Sequence, residues 1–262
     1  MKAEKLDSKN FRPVPYVQLP FIDFAGNLEK RWGHMNGVLE DILNGYTNPK
    51  ILDIAGGGGH DTIFLSQKGY DVTANEVDEK FAVNLRDKIK ASEVQPKVLS
   101  IDWRDFLNSN ELEDEKYDVL FALGNSYPNY LFKESEREVA LKGFWRVLKP
   151  RGTLFFDTRN YDYILSHAQE ILEDPEHNFR YSHKTTYTNE DIRGYPIEIT
   201  PQRVRLQYKY YPKKRSAYLD LCPATIESVT SLIKKLWVTL DQPFTMTIKL
   251  LSLKSLISFS MF

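Results

Sequence analysis

The sequence predicts an α/β fold built on a doubly wound, mostly parallel sheet, and three observations carry that prediction. Short apolar runs recur along residues 50–158, stretches of helical periodicity separate them, and the first run, ILDIAGGGGHD at 51–61, opens into four consecutive glycines. Strands that alternate with helices join in parallel through crossovers, so the sheet is covered on both faces.

Each element follows from its local pattern. Residues 1–26 hold three prolines and little periodicity, which reads as an N-terminal arm. From Asn27 to Leu43 the positions Leu28, Trp32, Met35, Leu39 and Ile42/Leu43 recur at helical spacing. KILDIA (50–55) is the first strand, and the helix DTIFLSQKG follows the glycines and closes on Gly69. YDVTANEV is the second strand, DEKFAVNLRDKIKAS a helix, KVLSID the third strand and YDVLFAL (117–123) the fourth. ESEREVALKGFWRVLK is a helix and GTLFFDT (152–158) the fifth strand. Polar and apolar residues then alternate through SHKTTYT and RVRLQYKYY, which predicts an antiparallel β insertion before a last helix near Thr225 to Lys235. The expected organisation is one domain over 1–262: the arm at 1–26, a core at 27–160, a β insertion at 161–222, and a closing helix and strands at 223–262.

Composition excludes several classes. With 42% hydrophobic and 27% charged residues the chain can bury a full core. A net charge of −1 supplies no global basic field for a polyanion, so nucleic acid is not the expected partner. The single Cys222 permits no internal disulfide framework, which suits a reducing cytoplasm. The charged start MKAEKLDSKNFRPVP lacks the apolar stretch of a signal peptide, and no run is long and apolar enough to span a bilayer, so no membrane is expected. The five histidines never reach ligand spacing with a third donor, so no metal is expected. KYYPKKR (209–215) mixes aromatics with basic residues as RNA-binding segments do, but reads more simply as a solvated hairpin tip.

Four glycines between a strand and a helix form a turn where backbone passes close to a ligand or a neighbouring helix. A dinucleotide site wants a third glycine after Gly57 and Gly59, and Thr62 stands there instead. No Gly-Lys-Ser/Thr follows, so a phosphate loop fails as well. Glu76, at the end of the second strand, can accept from both hydroxyls of a ribose. A nucleoside without pyrophosphate fits both facts. Asp102, after the third strand, could accept from an exocyclic adenine amine, and Trp103 is either an aromatic face for the base or a core tryptophan.

DIAGGGGHD, with Glu76 and the Asp102-Trp103 pair, resembles the cofactor site of class I S-adenosylmethionine-dependent methyltransferases, whose fold is Rossmann-like. LGNSYPNYL (123–131) and FDTRNYDYIL (156–165) are similar to the glycine and sarcosine N-methyltransferase branch. That resemblance implies S-adenosylmethionine as cofactor, held by Arg31, Ala55, Gly57, Gly59, Glu76, Asp102, Trp103 and Leu123. It implies that Asn125 and Arg159 hold a small amino acid substrate and that Tyr208 lies on the substrate side. Glu76 replaces the more usual Asp, Asp102 stands where relatives often have Asn, and Leu221-Cys222 replaces a tyrosine pair. Tyr127, Tyr130, Tyr161 and Tyr163 read as packing residues or as supports behind the residues that touch substrate, and nothing carries over to the tail LLSLKSLISFSMF.

The implied chemistry is an in-line displacement in which an amine attacks the methyl of a sulfonium, needing approximation and charge matching but no metal or covalent nucleophile. Arg159 would grip the substrate carboxylate through a bidentate fork that lysine cannot reproduce. Two other readings remain: a methyltransferase of RNA, protein or another small molecule with the same cofactor half, and a noncatalytic module that binds the cofactor alone.

Overall fold

The computed structural model describes residues 11–15, 19, 37–127, 133–179, 191–237, 244–250 and 256–261. Residues 27–36 of the expected first helix, with Arg31, lie outside the described residues, as do Tyr130 and the expected strand SHKTTYT. The first elements are β1 (Arg12–Pro13), α1 (Val38–Asn44), β2 (Lys50–Asp53), α2 (His60–Gln67), β3 (Asp71–Asn75), α3 (Glu79–Lys90), β4 (Lys97–Leu99) and β5 (Tyr117–Ala122). Then come α4 (Glu134–Val147), β6 (Leu148–Thr158), α5 (Tyr161–Ser166), α6 (Ala168–Glu173) and α7 (Pro175–Asn178). The chain continues with β7 (Ile192–Ile199), β8 (Val204–Tyr210), β9 (Arg215–Leu221), α8 (Ile226–Trp237), β10 (Phe244–Leu250) and β11 (Leu256–Met261). Two compact units divide it, one of Met1–His34 with Tyr161–Pro223 and one of Met35–Asn160 with Ala224–Phe262.

The second of these units is built on a seven-stranded sheet in the order β4-β3-β2-β5-β6-β10-β11, parallel throughout except for the β10–β11 pair. Ile51, Leu52, Ala74, Val119, Leu120, Phe121, Leu154, Phe155 and Phe156 are buried from both faces, which is why these strands read as continuous apolar runs and not as alternations. Helix α3 shows how sequence sets a helix here. The Asp78 carboxylate accepts from the N–H groups of Lys80 and Phe81, Lys88 and Lys90 occupy the last turn, and Ala82, Leu85 and Ile89 form the buried stripe. Burying a side chain such as Leu85 stabilises the fold by ~1.5–3 kcal/mol.

Two boundaries differ from the sequence pattern. Helix α4 stops at Val147 and not at Lys149, because Lys149 precedes Pro150 and is driven towards extended backbone. Leu148 already pairs with Tyr117, the register then shifts, and Arg151 takes a left-handed φ of 65° before regular pairing resumes at Thr153. Beyond α8 two further strands complete the sheet: β10 runs parallel to β6 and β11 returns antiparallel along β10.

The other unit is an antiparallel meander, β7-β8-β9, with β1 added in parallel beside β9 through the N–H groups of Arg12 and Val14. Bidentate pairs Arg205–Asp220 and Arg203–Glu198 lie along it. The KYYPKKR stretch is not wholly a solvated tip. Lys209 and Tyr210 are buried strand residues, the Lys209 ammonium lying 5.2 Å from the Phe11 ring centroid and 5.6 Å from that of Tyr195, and only 211–214 form the turn.

Candidate active site

The carboxyl ends of β2, β3, β5 and β6 share one edge of the sheet, and most of the sequence-selected residues fall there. Asp53 ends β2 and anchors the glycine loop: its Oδ2 accepts from Thr62 Oγ1 at 2.6 Å and its Oδ1 from the Ala55 N–H at 3.2 Å. Ala55 itself is partly exposed at the loop's start. Gly56 N–H donates to the Asn75 carbonyl at 2.9 Å, which fastens the loop to β3.

The glycines differ in purpose. Gly59 has φ 82°, and a Cβ there would stand 2.3 Å from Leu85 Cδ1, so this glycine is required for close packing of the loop on α3. Gly57 has φ 52°, and a Cβ there would meet nothing nearer than the Ala55 carbonyl oxygen at 3.9 Å. Bare backbone at Gly57 therefore faces open space, where a ligand can approach.

Glu76 sits beside that space. Its Oε2 accepts from the Gly57 N–H at 2.7 Å and its Oε1 from the Asp78 N–H at 2.8 Å. Burial pushes its carboxyl above the ordinary value of 4.5, partly offset by these backbone donors. Each carboxylate oxygen can accept twice, so the group retains capacity for further donors.

Asn75 is a residue that sequence reading passed over. Its side chain donates to the Ile101 carbonyl and accepts from the Ile101 N–H, both at 2.9 Å, and also lies 3.4 Å from the Ile54 carbonyl. It ties the ends of β2, β3 and β4. The clue is a polar residue inside VTANEV, at a position that must be buried and so must be hydrogen-bonded.

Trp103 corrects the reading of an aromatic face for a base. The indole is 2% exposed, donates from Nε1 to the Ile54 carbonyl at 2.7 Å and meets Phe144 edge-on at 5.3 Å, so it is a core residue. Asp102 is held by Arg104 through both oxygens, at 2.8 and 2.6 Å, and this pairing lowers its carboxyl pKa. An adenine amine would have to share it.

On the other side of β2, the turn after β5 is left-handed at both Gly124 (φ 82°) and Asn125 (φ 63°). Leu123 is buried, and its carbonyl accepts from Ser126 Oγ. The Asn125 N–H donates to Asp157 Oδ1 at 2.7 Å, while its Oδ1 accepts from the Arg159 N–H at 2.9 Å and lies 3.3 Å from Thr158 Oγ1. Asp157, Thr158, Arg159 and Asn160 are all buried, with Arg159 8% exposed. Tyr127 stacks on Phe156 at 4.8 Å, and Tyr163 is exposed and stacks on His167.

Tyr208 belongs to the unit that holds Tyr161–Pro223. It is 6% exposed on β8, opposite Gly194, where a Cβ would stand 2.8 Å from its Cε1. Among the described residues no group of three or more His, Cys, Asp or Glu is placed to hold a metal, and no helix is long and apolar enough to cross a membrane.

Residues 51–152 match a model described as a methyltransferase domain. The chain is 32% identical over 162 residues to a glycine/sarcosine N-methyltransferase of Halorhodospira halochloris, covering 62% of this chain and 55% of the relative.

Residues 51–152 thus carry a methyltransferase domain of the S-adenosylmethionine-dependent kind.

A glycine/sarcosine N-methyltransferase of Aphanothece halophytica is 27% identical over 184 residues, covering 70% of this chain and 64% of the relative. The chain thus spans between half and two thirds of the length of these relatives. A crystal structure of an S-adenosylmethionine-dependent methyltransferase from Clostridium acetobutylicum matches with a TM-score of 0.55 at 17% identity, over 79% of this chain and 87% of that one, which is a likeness of fold.

The residues present fit this family's cofactor. The open face of Gly57 leaves room for close approach to backbone, and the Glu76 carboxylate beside it is an acceptor suited to ribose hydroxyls. The loop lacks the third glycine and the lysine that phosphate-bearing ligands use, as a methyltransferase cofactor without phosphate requires.

Proposed function

We propose that this protein is an S-adenosylmethionine-dependent N-methyltransferase acting on the amine of a small amino acid such as glycine or sarcosine. Arg159 carries the acceptor half of that reading: it is a buried guanidinium at the carboxyl end of β6, on the same sheet edge as Gly57 and Glu76. The names of the two relatives support the substrate class.

Glu76, with the glycine loop, would hold the cofactor, which when bound supplies an activated methyl on a positively charged sulfur. The chain's own residues then have two tasks. Arg159 grips the acceptor carboxylate in two places, which orients the amine and lowers the entropy cost of attack. Asn125 fixes the backbone from which Arg159 projects, through its hydrogen bond to the Arg159 N–H. The amine must arrive neutral to attack the methyl. Tyr208 is assigned to the substrate side on the resemblance alone.

The test is a panel of small amino acids incubated with labelled cofactor, with each methylated product detected by mass. Arg159→Lys and Arg159→Ala should keep cofactor affinity while kcat/KM for the acceptor falls by roughly 10- to 100-fold or more. Esterifying the acceptor carboxylate should cost the wild type a similar factor and Arg159→Ala little further, because both changes delete one pairing. Equal turnover of ester and free acid by the wild type would replace this reading with a larger acceptor that is not held by a carboxylate.

A further inference from the structure

The turn after β5 and the end of β6 hold each other reciprocally. The Asp157 side chain accepts from the Asn125 backbone at 2.7 Å, and the Asn125 side chain accepts from the Arg159 backbone at 2.9 Å. All three residues are buried, at 4%, 2% and 8% exposure. Asn125 has φ 63°, a left-handed conformation that a residue with a Cβ adopts at some cost and keeps only where its surroundings fix it. Among the contacts that surround this turn, the Asp157 carboxylate is one that holds its backbone N–H directly. We propose that Asp157 is a positioning residue for the acceptor: by accepting the Asn125 N–H it locks the left-handed turn, and the turn in turn sets the backbone of Arg159.

The chemistry distinguishes this role from that of a charge or a base. What the clamp needs from residue 157 is an acceptor oxygen at that place, which the amide of asparagine also offers and a leucine of similar size does not. The inference rests on the reading that Arg159 binds an amino acid carboxylate, since a misplaced Arg159 shows itself in the acceptor's KM.

The experiment compares Asp157→Asn, Asp157→Leu, Asn125→Gly and the double variant Asp157→Leu/Asn125→Gly in the full chain, with active fractions set by cofactor titration. Asp157→Asn should stay within about threefold of wild-type kcat/KM, whereas Asp157→Leu should raise the acceptor KM by about tenfold or more at unchanged cofactor affinity. Glycine takes the left-handed turn without help, so Asp157→Leu should cost little further in the Asn125→Gly background. Hydrogen exchange gives a readout without turnover: the Asn125 amide should be protected in wild type and Asp157→Asn, and exposed in Asp157→Leu. If Asp157→Leu fails to fold, Asp157→Asn still decides, because a folded Asp157→Asn with a tenfold or greater loss overturns the acceptor-oxygen role. Unchanged acceptor kinetics in a folded Asp157→Leu, or full multiplication of the two losses in the double variant, overturns the proposal while leaving the function standing. A wild type inert towards every amino acid overturns both, whatever the exchange data show.

Discussion

Glu76 is asked to do two things whose pH dependences run in opposite directions. Burial raises its pKa in the folded, ligand-free protein above 4.5. A raised carboxyl pKa means that the folded state binds the proton more tightly than the unfolded one, so the stability this group contributes is present below 4.5 and is lost as pH rises through the raised value. Measured against Glu76→Gln by denaturant titration, the wild type should therefore lose relative stability over that acid window and show no further change towards neutrality. Cofactor affinity should move the other way. Ribose hydroxyls donate best to the ionised carboxylate, so affinity by calorimetry should rise with pH through the raised value in wild type and stay flat in Glu76→Gln. At neutral pH the variant should bind more weakly by ~1.5–3 kcal/mol, the usual worth of a charged hydrogen bond. Identical affinity and pH profile in the two proteins would take Glu76 out of the site. The position of this acid could be read from its spacing after the glycines; its proton affinity could not, because that depends on the Gly57 and Asp78 N–H groups and on the depth of burial.

Between strand β2 and helix α2, four glycines that look alike in sequence separate into different jobs. Gly57→Ala places a methyl in open space, so its cost to folding should be limited to the left-handed backbone, roughly 1–2 kcal/mol, while close approach of a ligand is blocked. Gly59→Ala adds the same backbone cost and drives a methyl to within 2.3 Å of Leu85 Cδ1, so it should destabilise more and bind cofactor normally in the fraction that folds. Thermal melts paired with calorimetry would show the contrast, and equal effects of the two substitutions on both readouts would refute it. The elements themselves were mostly legible, since apolar runs with caps such as Asp78 and Gly69 state where strands and helices begin and end. Where the pattern misled, at the end of α4, a single Pro150 outweighed the helical periodicity before it.

Taken whole, the molecule should respond to its cofactor as any fold does that binds a ligand only when native. The demethylated cofactor at about 100 times its Kd should stabilise the protein by ~2.7 kcal/mol, a rise of several degrees in Tm, and Glu76→Ala should abolish most of that rise. No shift in wild type at millimolar ligand would contradict the cofactor assignment. The sequence by itself determined the alternating architecture, the sheet edge to which the candidate site residues belong, and the class of ligand, because hydrophobic periodicity, glycine content and the acid after the second strand are local and survive reading in one dimension. Only the tertiary structure decided which of the selected residues face open space and which are structural. Trp103 is a core tryptophan because Phe144 and the Ile54 carbonyl claim its edge and its N–H, and Gly59 is bare because Leu85 lies across it. Asn75 and Asp157 emerged as the ties between strand ends because their partners are 26 and 32 residues away in sequence. Hydrogen bonds of that reach leave no periodic trace in the chain; they exist only once parallel strands have brought distant carbonyls and N–H groups to the same edge.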